Sequence, residues 1–245
     1  MSKFPDWLKA RPIAHRGLHD VSRRVVENTR TAFALAIESN YAIECDLQIS
    51  GDGEAMVFHD PELDRLTVET GHVNARTAEQ LKQVCSKDCD DKMQSLAELL
   101  SQVDGKVPLI IELKSLVDGD MTLADRAIDV LADYKGDFCL MSFGPLLMRE
   151  VKRRAPEIIR GAVVSPETEE LWLHAPLRES PATTMLDMVE PDFLSYDVKG
   201  LPSEFVSTFK IDEKPVICWT IKDQKTADFA YQFCDQITFE GFRAK

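Results

Sequence analysis

Two carboxylates one residue apart, Glu44-Cys45-Asp46, follow the apolar stretch Tyr41-Ala42-Ile43. Strand alternation puts both on one face. Buried side by side, they repel each other and demand a cation. Glu112-Leu113-Lys114 repeats the arrangement after Leu109-Ile110-Ile111. Surface ion pairing is the competing explanation, and the apolar flanks weigh against it, because a buried charge needs a partner. Glu44, Asp46 and Glu112 are therefore expected to hold one divalent cation in an all-oxygen site suited to Mg²⁺ or Ca²⁺.

Proton transfer near neutrality asks for imidazole, and phosphate oxygens suit the guanidinium fork. His15-Arg16-Gly17 supplies both at the end of a short apolar run, with Gly17 allowing a sharp turn. His59 ends the alternating run that begins at Glu54, beyond Ser50-Gly51-Asp52-Gly53. Asp-Gly between two strand patterns signals a tight hairpin, whose return lays His59 roughly opposite Asp46. Glu27 precedes a helical pattern and can reach the same place to orient a histidine or a metal-bound water, whereas Asn28 and Thr29 suit helix capping. His19, His72 and His174 are assigned to structure or solvent. With no His-x-His, His-Glu-x-x-His or Gly-x-Ser-x-Gly pattern, zinc and serine hydrolases are disfavoured.

Something must bring these residues together. Strand patterns are expected at residues 12–15, 42–48, 107–114, 138–142, 158–164, 192–196, 215–220 and 236–239. Helical patterns follow most of them, at 28–39, 96–103, 123–134, 145–155 and 226–233. Strand–helix alternation around eight strands predicts an α/β fold, a closed (β/α)8 TIM-type barrel in one domain over residues 1–245. An open doubly wound sheet lacks its Gly-rich phosphate loop. Residues 47–93 break the alternation and are expected to form a hairpin and a small insertion over the barrel mouth, where barrel active sites are built.

The chain of 245 residues carries a formal net charge of −13, which repels nucleic acid and anionic membranes and requires a local cation wherever phosphate is handled. Six cysteines lack a repeating spacing, so free thiols are expected; Cys85 and Cys89, one helical turn apart, are the pair that could bind metal or switch redox state. The N-terminal residues lack a signal-peptide core, and no apolar run reaches the ~20 residues of a membrane span. A soluble, cytoplasmic protein without stable membrane insertion is the expectation.

Taken in order, Ala14-His15-Arg16-Gly17, Glu27-Asn28-Thr29, Glu44-Cys45-Asp46, His59-Asp60-Pro61, Asp64-Arg65-Leu66-Thr67, Glu112-Leu113-Lys114 and Trp219-Thr220 resemble the glycerophosphodiester phosphodiesterase family. The resemblance spans nearly the whole chain. It implies a metal-dependent enzyme that releases glycerol 3-phosphate and an alcohol from a small-molecule phosphodiester. Glu44, Asp46 and Glu112 would hold the cation, with His15 and His59 as base and acid. Arg16 and Lys114 would clamp the phosphate, Trp219 would line the alcohol pocket, and Glu27 and Asn28 join the substrate-facing set. Two stretches differ from the family pattern: Gln94-Ser95-Leu96-Ala97-Glu98 replaces Pro-Thr-Leu-Glu-Glu, and Thr238-Phe239-Glu240-Gly241 replaces a closing Thr-Asp before Pro. Two alternatives stand beside this reading. One is a lysophospholipid-directed phosphodiesterase with Leu171, Trp172 and Leu173 in an acyl trough; the other is a phosphate-binding barrel without catalysis.

Overall fold

Runs such as Leu109-Ile110-Ile111-Glu112-Leu113 have apolar residues on both faces, as a strand covered on both sides requires. In the computed structural model, which describes residues 5–114, 119–173, 184–211 and 213–245, eight such runs are parallel strands closed into a barrel. They are β1 (Ile13–Ala14), β2 (Ala42–Ile49), β4 (Leu109–Leu113), β5 (Phe138–Ser142), β6 (Arg160–Val164), β7 (Phe193–Asp197), β8 (Val216–Ile221) and β9 (Gln236–Phe239). Closure comes from β1, which pairs with β2 on one side and β9 on the other. One further strand, β3 (Ala55–Val57), returns antiparallel along β2.

Alternation sorts the side chains into two layers. Ile13, Ala42, Ile110, Cys139, Met141, Val163, Phe193 and Ile217 fill the barrel interior. Ala14, Ile43, Cys45, Leu109, Ile111 and Leu113 point the other way and pack beneath the helices. The centre is tight: a Cβ added at Gly161 would meet the Phe193 ring at 2.2 Å.

The surrounding helices are α1 (Arg30–Glu38), α3 (Leu96–Val103), α4 (Thr122–Leu131), α5 (Pro145–Arg154), α6 (Glu169–Leu173), α7 (Met185–Val189), α8 (Glu204–Lys210) and α9 (Gln224–Ala230). Helix α1 starts at Thr29, whose hydroxyl accepts from Ala32 N. Helix α3 starts with a reciprocal capping box between Ser95 and Glu98, so the stretch that departs from the family pattern still supplies a helix start. Among the described residues, no helix is long and apolar enough to cross a membrane.

The insertion has its own small core of Met56, Phe58, Leu63, Val73, Ala78, Leu81, Val84 and Met93, with one short helix, α2 (Ala78–Leu81). Two expectations need correction. Leu47 pairs with Val57, and Phe58 N bonds Asp46 O, so His59 stands one position past Asp46 rather than opposite it. The reason is the turn, which spans Ser50 to Glu54 and adds a residue to the tight hairpin. Cys85 and Cys89 are not stacked on a helix: Cys85 lies in a bridge to Lys92 and Cys89 in the following bend. All six cysteines are free, with Cys45, Cys139, Cys218 and Cys234 buried.

Candidate active site

Strand alternation delivers Glu44, Asp46 and Glu112 to the inner face at the C-terminal ends of β2 and β4, where Asp46 is in register with Glu112. All three are more than nine-tenths buried, and one oxygen of each lies within 4.8 Å of the others. Glu44 accepts from the Arg16 backbone N at 2.9 Å, made possible by the left-handed turn at Arg16 (φ 54°) and Gly17 (φ 79°). Asp46 Oδ2 accepts from Asn28 Nδ2 at 2.8 Å, while Asn28 Oδ1 accepts from Asp46 N at 3.3 Å. Thr29, not Asn28, is therefore the helix cap, and Asn28 grips Asp46 by both ends of its amide.

Two cations share the acids. Lys114 Nζ lies 2.9 Å from Asp46 Oδ1 and 2.6 Å from Glu112 Oε1, and Arg16 Nε lies 3.2 Å from Asp46 Oδ2. Burial and mutual repulsion push the Glu44 and Glu112 carboxyls up. Burial acts on Asp46 the same way, but Lys114 and Arg16 outweigh it and hold Asp46 well below the ordinary carboxylate range. Three carboxylates against two cations leave one negative charge. A bound divalent cation turns that into one positive charge, which is what an anionic phosphate needs. The donor set fits a metal: it is all oxygen, buried, convergent and short of positive charge.

Both candidate imidazoles stand on the same mouth, each with Nδ1 against a carboxylate. His59 Nδ1 lies 2.6 Å from Asp60 Oδ1, and His15 Nδ1 lies 2.6 Å from Glu240 Oε2. His15 Nε2 faces Glu44 Oε2 at 3.9 Å. Burial lowers both histidines below the usual imidazole value, which favours the neutral ring. Arg16 Nη1 donates to Glu27 Oε1, Glu27 also accepts from Arg65, and Arg65 in turn donates to Asp60. A chain of ion pairs thus joins the two histidine loops.

One cavity of about 90 Å³ opens between them, lined by His15, Arg16, Glu44, His59, Glu112 and Lys114 on its polar side. Met141, Phe143, Val163 and Trp219 form the apolar wall, with Phe143 and Trp219 edge to face at 5.6 Å. Trp219 donates its indole N–H to Ser195 O and so presents only its ring. Ser195 and Thr238 also line the cavity.

Nine of the ten residues singled out from the sequence thus line the cavity or pair directly with its acids, Trp219 from the opposite wall; Glu27 stands behind Arg16. Glu240, Arg65 and Asp60 were not singled out for a role. Glu240 was nonetheless readable: it continues the period-2 pattern from Thr238, and barrel closure sets the last strand beside the first. His19, assigned to structure or solvent, is mostly buried with Nε2 3.6 Å from Glu240. His15, His19 and Glu240 form a second group whose donor atoms lie within 4.8 Å of one another. His174 lies outside the described residues. Of the expected acyl trough, Trp172 is fully buried, and Leu173 lines a groove by α7 and α8 that shares no lining residue with the mouth cavity.

Residues 15–238 match the model of the glycerophosphoryl diester phosphodiesterase family. A glycerophosphodiester phosphodiesterase of Caldanaerobacter subterraneus is 31% identical over 181 residues, covering 70% of this chain and 73% of that protein. A probable glycerophosphodiester phosphodiesterase 1 of Mycobacterium tuberculosis is 25% identical, covering 89% of this chain and 84% of its own. Among solved structures, a phosphodiesterase of Oleispira antarctica in complex with the product sn-glycerol-3-phosphate superposes with a TM-score of 0.79 at 24% identity, over 95% of this chain and 94% of that one.

Proposed function

The chain belongs to the glycerophosphoryl diester phosphodiesterase family, and on that premise we propose that it hydrolyses glycerophosphodiesters to glycerol 3-phosphate and an alcohol. The observation that carries this reading is the pairing of two carboxylate-backed imidazoles with one buried acidic triad around one cavity. Glu44, Asp46 and Glu112 would hold Mg²⁺ or Ca²⁺, which when bound polarises a phosphate oxygen and offsets developing charge. Arg16 and Lys114, already at the triad, take the remaining phosphate oxygens. One of His15 and His59 removes a proton from the nucleophile through Nε2, and the other protonates the departing alkoxide. Glu27 sets the Arg16 fork, Asn28 fixes Asp46, and Trp219 packs on the carbon skeleton of the substrate.

The complex of the Oleispira antarctica protein with sn-glycerol-3-phosphate supports that product for this chain. A cytoplasmic setting belongs to the same reading, since six free thiols suit a reducing compartment. The test is a panel of glycerophosphodiesters and other phosphodiesters assayed for glycerol 3-phosphate release, with chelator and with added Mg²⁺ or Ca²⁺. Release that chelation abolishes and one of these ions restores is expected; an undiminished rate in chelator, or no release from any glycerophosphodiester, sinks the reading.

A further inference from the structure

Barrel closure brings Glu240 to His15 across 225 residues of sequence. Ile13 is in register with Thr238 and Ala14 with Phe239, and His15 N then bonds Phe239 O at 2.9 Å. The next position on the β9 side is Glu240. Its backbone N is tied to Ile221 O at 2.9 Å, and its Oε1 to Lys222 Nζ at 2.9 Å. The other oxygen, Oε2, meets His15 Nδ1 at 2.6 Å. This carboxylate is held from both ends and aimed at one ring nitrogen.

We infer that Glu240 is a positioning residue that fixes the orientation and tautomer of His15. A carboxylate only accepts, so the proton of the neutral ring must sit on Nδ1. Nε2 is then left with its lone pair pointing toward the acidic triad, 3.9 Å from Glu44. His59 has the same arrangement, but its carboxylate is the adjacent residue Asp60, inside the matched family segment. Glu240 lies beyond that segment, which ends at residue 238. It occupies the stretch where this chain departs from the family pattern, and the departure restores a carboxylate at the mouth. Lys222 and His19, at 3.6 Å, surround the same carboxylate and keep it an acceptor rather than a competing base.

The inference rests on the proposed role of His15 as a proton carrier, yet its first readout needs no activity. In protein labelled with ¹⁵N-histidine, with the His15 signal assigned by its loss in His15→Ala, the neutral ring is expected to be protonated at Nδ1. Glu240→Ala should move that proton to Nε2, while Glu240→Gln, whose amide oxygen can still accept, retains Nδ1–H. In turnover of a glycerophosphodiester, Glu240→Ala should lower kcat on the order of 10–100-fold. KM should stay within about twofold, and Glu240→Gln should recover part of the loss. A Glu240→Ala protein that keeps either the Nδ1–H signature or the parent kcat overturns the inference. If Glu240→Ala does not fold, Glu240→Gln decides: a ring protonated at Nε2 in the wild type, or identical to free histidine in the glutamine variant, is the overturning result. Should even the wild type hydrolyse no glycerophosphodiester, the activity assigned above fails, while the tautomer measurement still judges Glu240.

Discussion

Asn28 combines a left-handed backbone, φ 57°, with an amide that both donates to and accepts from Asp46. Loss of that amide leaves a buried carboxylate oxygen without its donor and frees the ligand to rotate. Asn28→Gly keeps the backbone conformation and removes the amide, so it should weaken metal affinity roughly 10–100-fold, read as a rise in the metal concentration giving half-maximal turnover. Asn28→Ala should show the same metal effect with about 1 kcal/mol more destabilisation, because the left-handed conformation disfavours a Cβ. His15→Ala and His59→Ala should each lower kcat on the order of 10²–10⁴-fold at saturating metal, with circular dichroism unchanged. The histidines and acids were legible in the sequence because strand alternation aims them. Asn28 was harder to read: Asn-Thr before a helix looks like capping chemistry, and only the tertiary position of Asp46 separates the two roles.

The elements do different work. The eight parallel strands are stiff because they are covered on both faces, whereas the insertion holds His59 through a string of charges. Arg65 bridges Asp60 and Glu27, and Glu27 bridges to Arg16. Arg65 and His59 hold the Asp60 carboxyl down to about 2 against an ordinary value of 3.8. A depressed carboxylate stabilises the fold above its unfolded value, so this contribution is complete above about pH 5 and is lost as pH falls from near 4 through 2. Arg65→Ala should therefore lower the urea midpoint at pH 7 and flatten its decline between pH 5 and 2. A parallel downward shift at every pH would contradict the assignment. No periodicity in Asp64-Arg65-Leu66-Thr67 announces where a loop arginine points, so this bridge was not readable beforehand. Helices α6 and α8 were equally obscure, since five and seven residues are too few for a 3.6-residue period to stand out. The long alternation of strand and helix, by contrast, was plain from the order of short apolar runs and amphipathic segments along the sequence.

At the scale of the whole molecule, two features govern behaviour. The first is packing at the barrel axis, where Phe193 fills the space left by Gly161. Gly161→Ala should cost about 1–3 kcal/mol in denaturant unfolding, and pairing it with Phe193→Leu should recover part of that loss through relieved crowding. Independent, additive losses would rule out the contact. The second is charge: a net −13 repels the anionic substrate, and the local excess at the mouth changes sign only with a bound cation.

Closure of the ring through β1 and β9 also sets an order in time. Translation delivers His15 and β2 long before β9, the second neighbour of its strand, and the carboxylate at its ring, which arrive more than 200 residues after His15. A nascent chain released before Thr238 would expose two open strand margins, inviting self-association. Competence to turn over substrate therefore waits for β9 and Glu240, and termination before them yields a sticky fragment instead of a weak enzyme.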